Sequence, residues 1–270
     1  MKQMAAQEAL SITSNTERYM AFLHTAANNY KYDFQEQILI HAQKPTATAC
    51  AEIEVWNKLG RWVNKGTKGI ALLIDKDVPY KLRYVFDLSD TNSRAGREIR
   101  LWQMEDRFGE SVREALENSF GEAPDTPDFS RFLMQVAENA VTDNLDDYVA
   151  TLENVKAGSL LEELDDLNVE VAYKRALESS VAYMLLTRLS IPADAYIMPE
   201  DFVAIYDFNT RETINALGIA ASDIAEMGLR EISRTILQAQ REAFFAKQET
   251  TEYDIHTEEP KLEPERSVAY

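Results

Sequence analysis

A chain of 270 residues with 45% apolar side chains can bury one large core or two ordinary ones, and its 9 Gly and 8 Pro argue against a loop-rich or all-β design. A single cysteine, Cys50, excludes an internal disulfide framework and fits a reducing compartment. The net charge of −18 counts against nucleic acid for the chain as a whole, but residues 1–100 carry 14 Lys+Arg against 11 Asp+Glu while residues 101–270 carry 14 against 35, so only the first third suits phosphates.

Ser14-Asn-Thr-Glu17 has capping-box spacing, with Ser14 expected to accept from a backbone N–H and Glu17 to reach back. Tyr19, Phe22, Leu23 and Ala26 follow at helical spacing. A second short helix is predicted from Phe34 to about Ala42, stopped by Lys44-Pro45. A third, Ala49 to Leu59, places Ile53 and Trp56 on one face and ends at Gly60, a residue type preferred just past a helix. Arg61–Asn64 and Ile70–Ile74 read as a hairpin around a Lys65-Gly-Thr-Lys-Gly69 turn, and Lys81–Leu88 as a third strand. In that strand Leu82, Tyr84, Phe86 and Leu88 alternate with Lys81, Arg83, Val85 and Asp87, a half-buried pattern.

The fold class expected is α+β: N-terminal helices with a small antiparallel sheet over residues 1–125, then a mostly helical unit over 126–246. The boundary falls at Gly121–Pro127, where Thr126-Pro127 is a good helix start. Beyond it run the stripes Phe129, Phe132, Leu133, Val136, Ala140, Val141, then Leu145, Tyr148, Val149, Leu152, Val155, then Tyr173 to Leu185. Helices are also predicted at Pro199–Tyr206, Asn209–Leu217 and Ser222–Phe245. Residues 247–270 are acidic and without apolar spacing, and are expected to be a disordered tail. No run of about 18 apolar residues occurs and Met1–Leu10 lacks a signal-peptide core, so a cytoplasmic protein with no membrane contact is expected.

The chemistry concentrates between Trp56 and Arg100, where ten Lys+Arg (58, 61, 65, 68, 76, 81, 83, 94, 97, 100) stand against five Asp+Glu (75, 77, 87, 90, 98). Gly66 and Gly69 let a backbone approach a phosphate between Lys65 and Lys68, and Trp62 offers a ring for stacking on a base. The expected nucleic-acid-binding residues are Lys58, Arg61, Trp62, Lys65, Gly66, Lys68, Gly69, Lys81 and Arg83. The plainer alternative is an ordinary hairpin with lysines guarding its tip and Trp62 in the core. No Gly stands in register before Lys65-Gly-Thr67 for a Walker A loop.

Catalytic constellations are not found. Cys50 has no base beside it in sequence, His41 after Ile38-Leu-Ile40 reads as a buried or capping histidine, and Glu162-Glu-Leu-Asp-Asp166 reads as a charged helix face without an EF-hand pattern. A non-enzymatic protein with no cofactor and no metal site is expected.

Trp56, Gly60, Val63, Lys65, Gly66, Lys68 and Gly69 together resemble the N-terminal domain of ArdC-type antirestriction proteins of mobile elements. Tyr84-Val-Phe86-Asp-Leu88-Ser-Asp90-Thr91 resembles the strand that follows in that domain, with Asp87 and Asp90 where the family has Asn and Gln. The resemblance implies single-stranded DNA binding. Glu178–Ile191 is similar to the helix that carries the acidic zinc ligand in the family's metallopeptidase domain, with Glu178 at that position. The only histidines are His24, His41 and His256, so the paired His-Glu-x-x-His is missing and the resemblance implies a degenerate peptidase-like domain. The context implied is a conjugative element, where such modules open large helicase–methylase or LtrC-like polypeptides. A different reading gives the acidic helices an anti-defence role, against a restriction or CRISPR nuclease, by protein contact or DNA mimicry.

Overall fold

Four helices begin on an Asn or Asp whose side-chain oxygen takes a backbone N–H that the first turn leaves free. Asn15 caps α2 (Thr16–Asn28), Asp33 caps α3 (Phe34–Gln43), Asp128 caps α6 (Phe129–Val155) and Asp165 caps α7 (Asp166–Arg188). The computed structural model describes residues 1–74, 81–93, 101–124 and 126–257. Along them run α1 (Lys2–Ile12), α2, α3, β1 (Cys50–Glu52), α4 (Ile53–Lys58), β2 (Trp62–Val63), β3 (Ile70–Leu73), β4 (Leu82–Asp87), β5 (Thr91–Asn92), α5 (Gly109–Phe120), α6, α7 and α8 (Arg211–Thr257). The architecture is α+β and mostly helical, as composition and periodicity predict.

Helix α7 is the axis of the molecule. Val169, Tyr173, Ala176, Leu177, Val181, Met184, Leu185 and Leu186 are all buried, and α2, α6 and α8 pack around them. Buried polar pairs tie the first three helices to this axis: Tyr19 Oη lies 2.9 Å from Ser180 Oγ, and Ser222 Oγ donates to Gln37 Oε1 at 2.8 Å. One hydrophobic cluster runs from Ala5 to Ile236, across the position where the sequence suggests a boundary. No helix among the described residues is long and apolar enough to cross a membrane.

Beside this bundle lie two small antiparallel sheets, one in the order β1-β4-β3 and the other β2-β5. Here the structure corrects several expectations. The segment 49–59 is not one helix, because Cys50–Glu52 pair with β4 (Cys50↔Asp87, Ala51↔Phe86, Glu52↔Val85) and only Ile53–Lys58 are helical. Trp56 is buried with its indole N–H on Phe86 O at 2.8 Å, whereas Ile53 is exposed. The expected hairpin is not formed either. β2 pairs with β5 (Trp62↔Asn92, Val63↔Thr91), and β3 pairs with β4 (Ile70↔Val85 through Leu73↔Leu82).

The phase of β4 is also opposite to the apolar alternation. Val85 and Asp87 are buried while Tyr84 is 52% exposed. The polar residues on the inner face are matched. Arg83 reaches Glu36 and, at 2.8 Å, Glu52, while Asp87 is saturated by hydrogen-bond donors. Satisfied polar groups let a strand turn its charged side inward.

Helix boundaries shift in ways a side chain explains. Ser14 Oγ donates to Ser11 O at the end of α1, a helix the sequence reading does not anticipate, so Asn15 takes the capping role expected of Ser14. Asp128, not Thr126, starts α6. Leu160–Glu163 form a short 3-10 turn, and Asp165 caps the next helix, so 162–166 is a junction instead of a helix face. Pro199–Asp207 is a 3-10 helix. The two helices predicted at Asn209–Leu217 and Ser222–Phe245 are one, because Gly218 is spent on close packing against Phe34 and Ser222 on its bond to Gln37. The backbone stays helical to Thr257, past the point where disorder is expected; residues 258–270 lie outside the described residues.

Candidate nucleic-acid interface

Helix α4 ends in a Schellman arrangement that fixes the direction of everything after it. Gly60, at φ +74°, donates to Asn57 O at 3.0 Å and Arg61 N donates to Trp56 O at 2.9 Å. The chain then enters β2. Asn64 N donates to Asp90 O at 2.9 Å, and Thr67 N closes a turn on Asn64 O at 3.1 Å. Gly66, third residue of that turn, has φ +86°, the left-handed value that a type II turn demands there. Lys65 and Gly66 are thus the tip, and both are exposed.

Gly69 brings the turn back onto the outer face of β4. A Cβ there would stand 3.1 Å from Phe86 Cζ and 3.2 Å from Tyr84 Cβ, so the backbone lies against the Phe86 ring and the base of the Tyr84 side chain. Tyr84 is 52% exposed and Trp62 44% exposed. The sequence points to Trp62 but misses Tyr84, whose expected inward direction hides it. Among the described residues, Lys58, Lys65 and Lys68 are exposed and take part in no ion pair.

The other expected residues separate from this group. Arg61 is anchored: Nε donates to Thr91 Oγ1 at 2.6 Å and Nη2 to Thr91 O at 2.8 Å, which joins α4 to β5. Arg83 is on the opposite, inner face, held by Glu36 and Glu52 over the Tyr32 ring at 5.6 Å. Its guanidinium is raised above the ordinary arginine range because the two carboxylates outweigh burial, which acts the other way. Lys81 is exposed but lies beyond the far end of the β3–β4 pair, four residues from Val85, or on the order of 13 Å along the strand. Lys76, Arg94, Arg97, Arg100, Asp75, Asp77 and Glu98 lie outside the described residues.

Asp87 and Asp90 pair away from the turn's lysines. Lys44 Nζ lies 2.7 Å from Asp90 Oδ2 and 3.7 Å from Asp87 Oδ2. Asp87 Oδ1 accepts from Thr48 N at 2.6 Å and Ala49 N at 2.9 Å, and its Oδ2 from Ser89 N at 3.0 Å. Burial pushes this carboxyl up, but the donors from Ala49, Ser89 and Thr48 together hold it below the usual range. The pair organises the loop that carries β1 and β5.

Cys50, His41 and Glu178 are all at least partly buried. Burial, with Asp87 nearby, pushes the Cys50 thiol up to about 12, which leaves a thiol and not a nucleophilic thiolate at neutral pH. His41 Nδ1 lies 2.8 Å from Thr25 Oγ1, whose own hydrogen goes to Pro45 O at 2.6 Å, so the imidazole N–H is the donor. Burial lowers its pKa, keeping the ring neutral. Glu178 is raised by burial and lies 3.9 Å from Lys174 on the same helix. Among the described residues no three His, Cys, Asp or Glu side chains gather as a metal-ligand set. Comparison with protein-family models, with curated proteins and with solved structures finds no match to the chain.

Proposed function

We propose that the protein binds single-stranded DNA through the Asn64–Gly69 turn, as a non-enzymatic accessory module of antirestriction type from a conjugative mobile element. The observation that carries this reading is the make-up of the turn and its flanks: among the described residues Lys58, Lys65 and Lys68 are exposed and in no ion pair, and the rings of Trp62 and Tyr84 are half-exposed. Cations that track a backbone and rings that stack on bases are the two components of sequence-tolerant single-strand binding. Lys58, Trp62, Lys65, Gly66, Lys68 and Gly69 remain in the proposed interface, Tyr84 joins them, and Arg61 and Arg83 become scaffold.

Fluorescence anisotropy with a labelled oligothymidylate tests it. Lys65→Ala/Lys68→Ala is expected to weaken binding and to flatten the log–log salt dependence by about 1.4, two phosphates at about 0.7 each. Trp62→Ala and Tyr84→Ala are each expected to cost about 1–3 kcal/mol of binding, the worth of one stacked base. Variants that bind as the parent does would remove the turn from the interface.

The charge division favours one second reading: with 35 Asp+Glu against 14 Lys+Arg after residue 100, the helical surface has the sign of DNA. On that reading the partner is a nuclease of a defence system, and the protein inhibits it at high oligonucleotide excess without binding the oligonucleotide itself.

A further inference from the structure

A second basic site lies away from the turn, in a cleft of about 310 Å³ between the end of α2, helix α4 and the end of α7. Arg188, the last residue of α7, lays its guanidinium 3.6 Å from the centre of the Trp102 ring and donates one hydrogen bond to Trp102 O at 3.2 Å. Trp102 is fixed in turn by its indole N–H on Tyr30 Oη at 3.3 Å. Lys31 stands on the rim, 5.7 Å from the Tyr30 ring centre. Neither Arg188 nor Lys31 takes part in an ion pair among the described residues, and no Asp or Glu is among the residues that line the cleft. Burial lowers the Arg188 pKa, the mark of a cation whose environment does not compensate it.

An arginine drawn out of water without a counter-ion is costly unless an anion completes it. Arg188 lines the cleft, and of its five N–H groups the one hydrogen bond takes one, to Trp102 O. The lining also includes exposed apolar side chains, Val55, Leu59 and Leu101. Two cations with no carboxylate beside them among the described residues match a phosphate monoester of charge about −1.5 to −2, better than a carboxylate of half that charge. A cleft of this volume is at the small end of ligand sites and holds one flat ring system with its anion.

We propose that this cleft binds a nucleoside monophosphate group, with the phosphate between Arg188 and Lys31 and the base against Val55, Leu59 and Leu101. The site is independent of the Asn64–Gly69 turn. Its ligand is either a free nucleotide or the phosphorylated end of a strand, which share this chemistry.

Isothermal titration of the full chain with dTMP, thymidine and inorganic phosphate tests the site. dTMP is expected to bind about tenfold or more tightly than either fragment, since a hydrogen bond to a charged group contributes about 1.5–3 kcal/mol. Arg188→Met, which orphans no carboxylate, is expected to lose about that factor, and its fold is checked by circular dichroism. Lys31→Ala, a surface change, is a second variant expected to weaken dTMP. Lys65→Ala/Lys68→Ala is expected to bind dTMP as the parent does, which keeps this site's outcome separate from that of the turn. On that double variant, tighter binding of a 5′-phosphorylated oligothymidylate than of its 5′-hydroxyl form names the strand end as ligand; equal binding with retained dTMP affinity names the free nucleotide. Absence of dTMP binding, thymidine or phosphate binding as tightly as dTMP, or Arg188→Met and Lys31→Ala both matching the parent would each overturn the proposal.

Discussion

An Asp87→Ala protein is expected to lose about 3 kcal/mol or more of unfolding free energy, measured by urea titration of the helical circular dichroism signal. The carboxylate is completely buried and accepts from the backbone N–H groups of Thr48, Ala49 and Ser89. Removing it leaves three donors without an acceptor, each at about 1 kcal/mol or more. Asp87→Asn restores one acceptor but points an amide N–H at Ser89 N, so an intermediate loss is expected. The pH dependence has a definite sign. A carboxyl held below its ordinary value stabilises the native state fully above the unfolded pKa of about 4 and loses that contribution as pH falls through the native value. The gap between parent and Asp87→Asn is therefore largest near neutral pH and narrows in acid. A loss below about 1 kcal/mol for Asp87→Ala would contradict the role given to this residue.

Gly218→Ala is expected to destabilise by up to about 2 kcal/mol despite placing a better helix former in the middle of α8. Alanine gains roughly 1 kcal/mol over glycine in a helix interior. A Cβ at this position, however, would fall inside the Phe34 ring, which is itself fully buried between α3 and α8. Overpacking costs about 1–3 kcal/mol when neighbours move, and here the obstructing atoms belong to a ring with no room to swing. Phe34→Leu in the Gly218→Ala background is expected to recover part of the loss. A thermal midpoint unchanged or raised in Gly218→Ala would show that α3 and α8 do not approach this closely.

Helices with a regular apolar stripe were legible because the same side chains that make the stripe also make the core: Tyr19, Phe22, Leu23 and Ala26, or Tyr173, Ala176 and Leu177. Glycines with left-handed backbone were equally legible, since Gly60 and Gly66 stand where a helix end and a turn tip need them. What stayed hidden depends on partners distant in sequence. A two-residue strand such as β2 has no pattern that chooses β5 over β3; the choice is made by Arg61 reaching Thr91 and by Asn64 N on Asp90 O. The inward side of β4 runs against its apolar alternation because Arg83 and Asp87 look like solvent residues until Glu36, Glu52 and the Thr48–Ala49 backbone are placed around them. Gly218 and Ser222 look like a helix end and a helix start, and are packing and bonding residues inside one helix. Of the expected interface, the turn itself was readable as local chemistry. The removal of Arg61 and Arg83 from it, and the arrival of Tyr84, required the fold.

Engagement of a single-stranded phosphate backbone by positive charge at the Asn64–Gly69 turn is the proposal on which the interface depends. The most direct measurement is the affinity of the full chain for labelled single- and double-stranded oligonucleotides across a series of salt concentrations. Preference for the single strand is expected, with a linear fall of log affinity with log salt at about −0.7 for each phosphate neutralised. Binding to neither nucleic acid, or an affinity indifferent to salt, would contradict it.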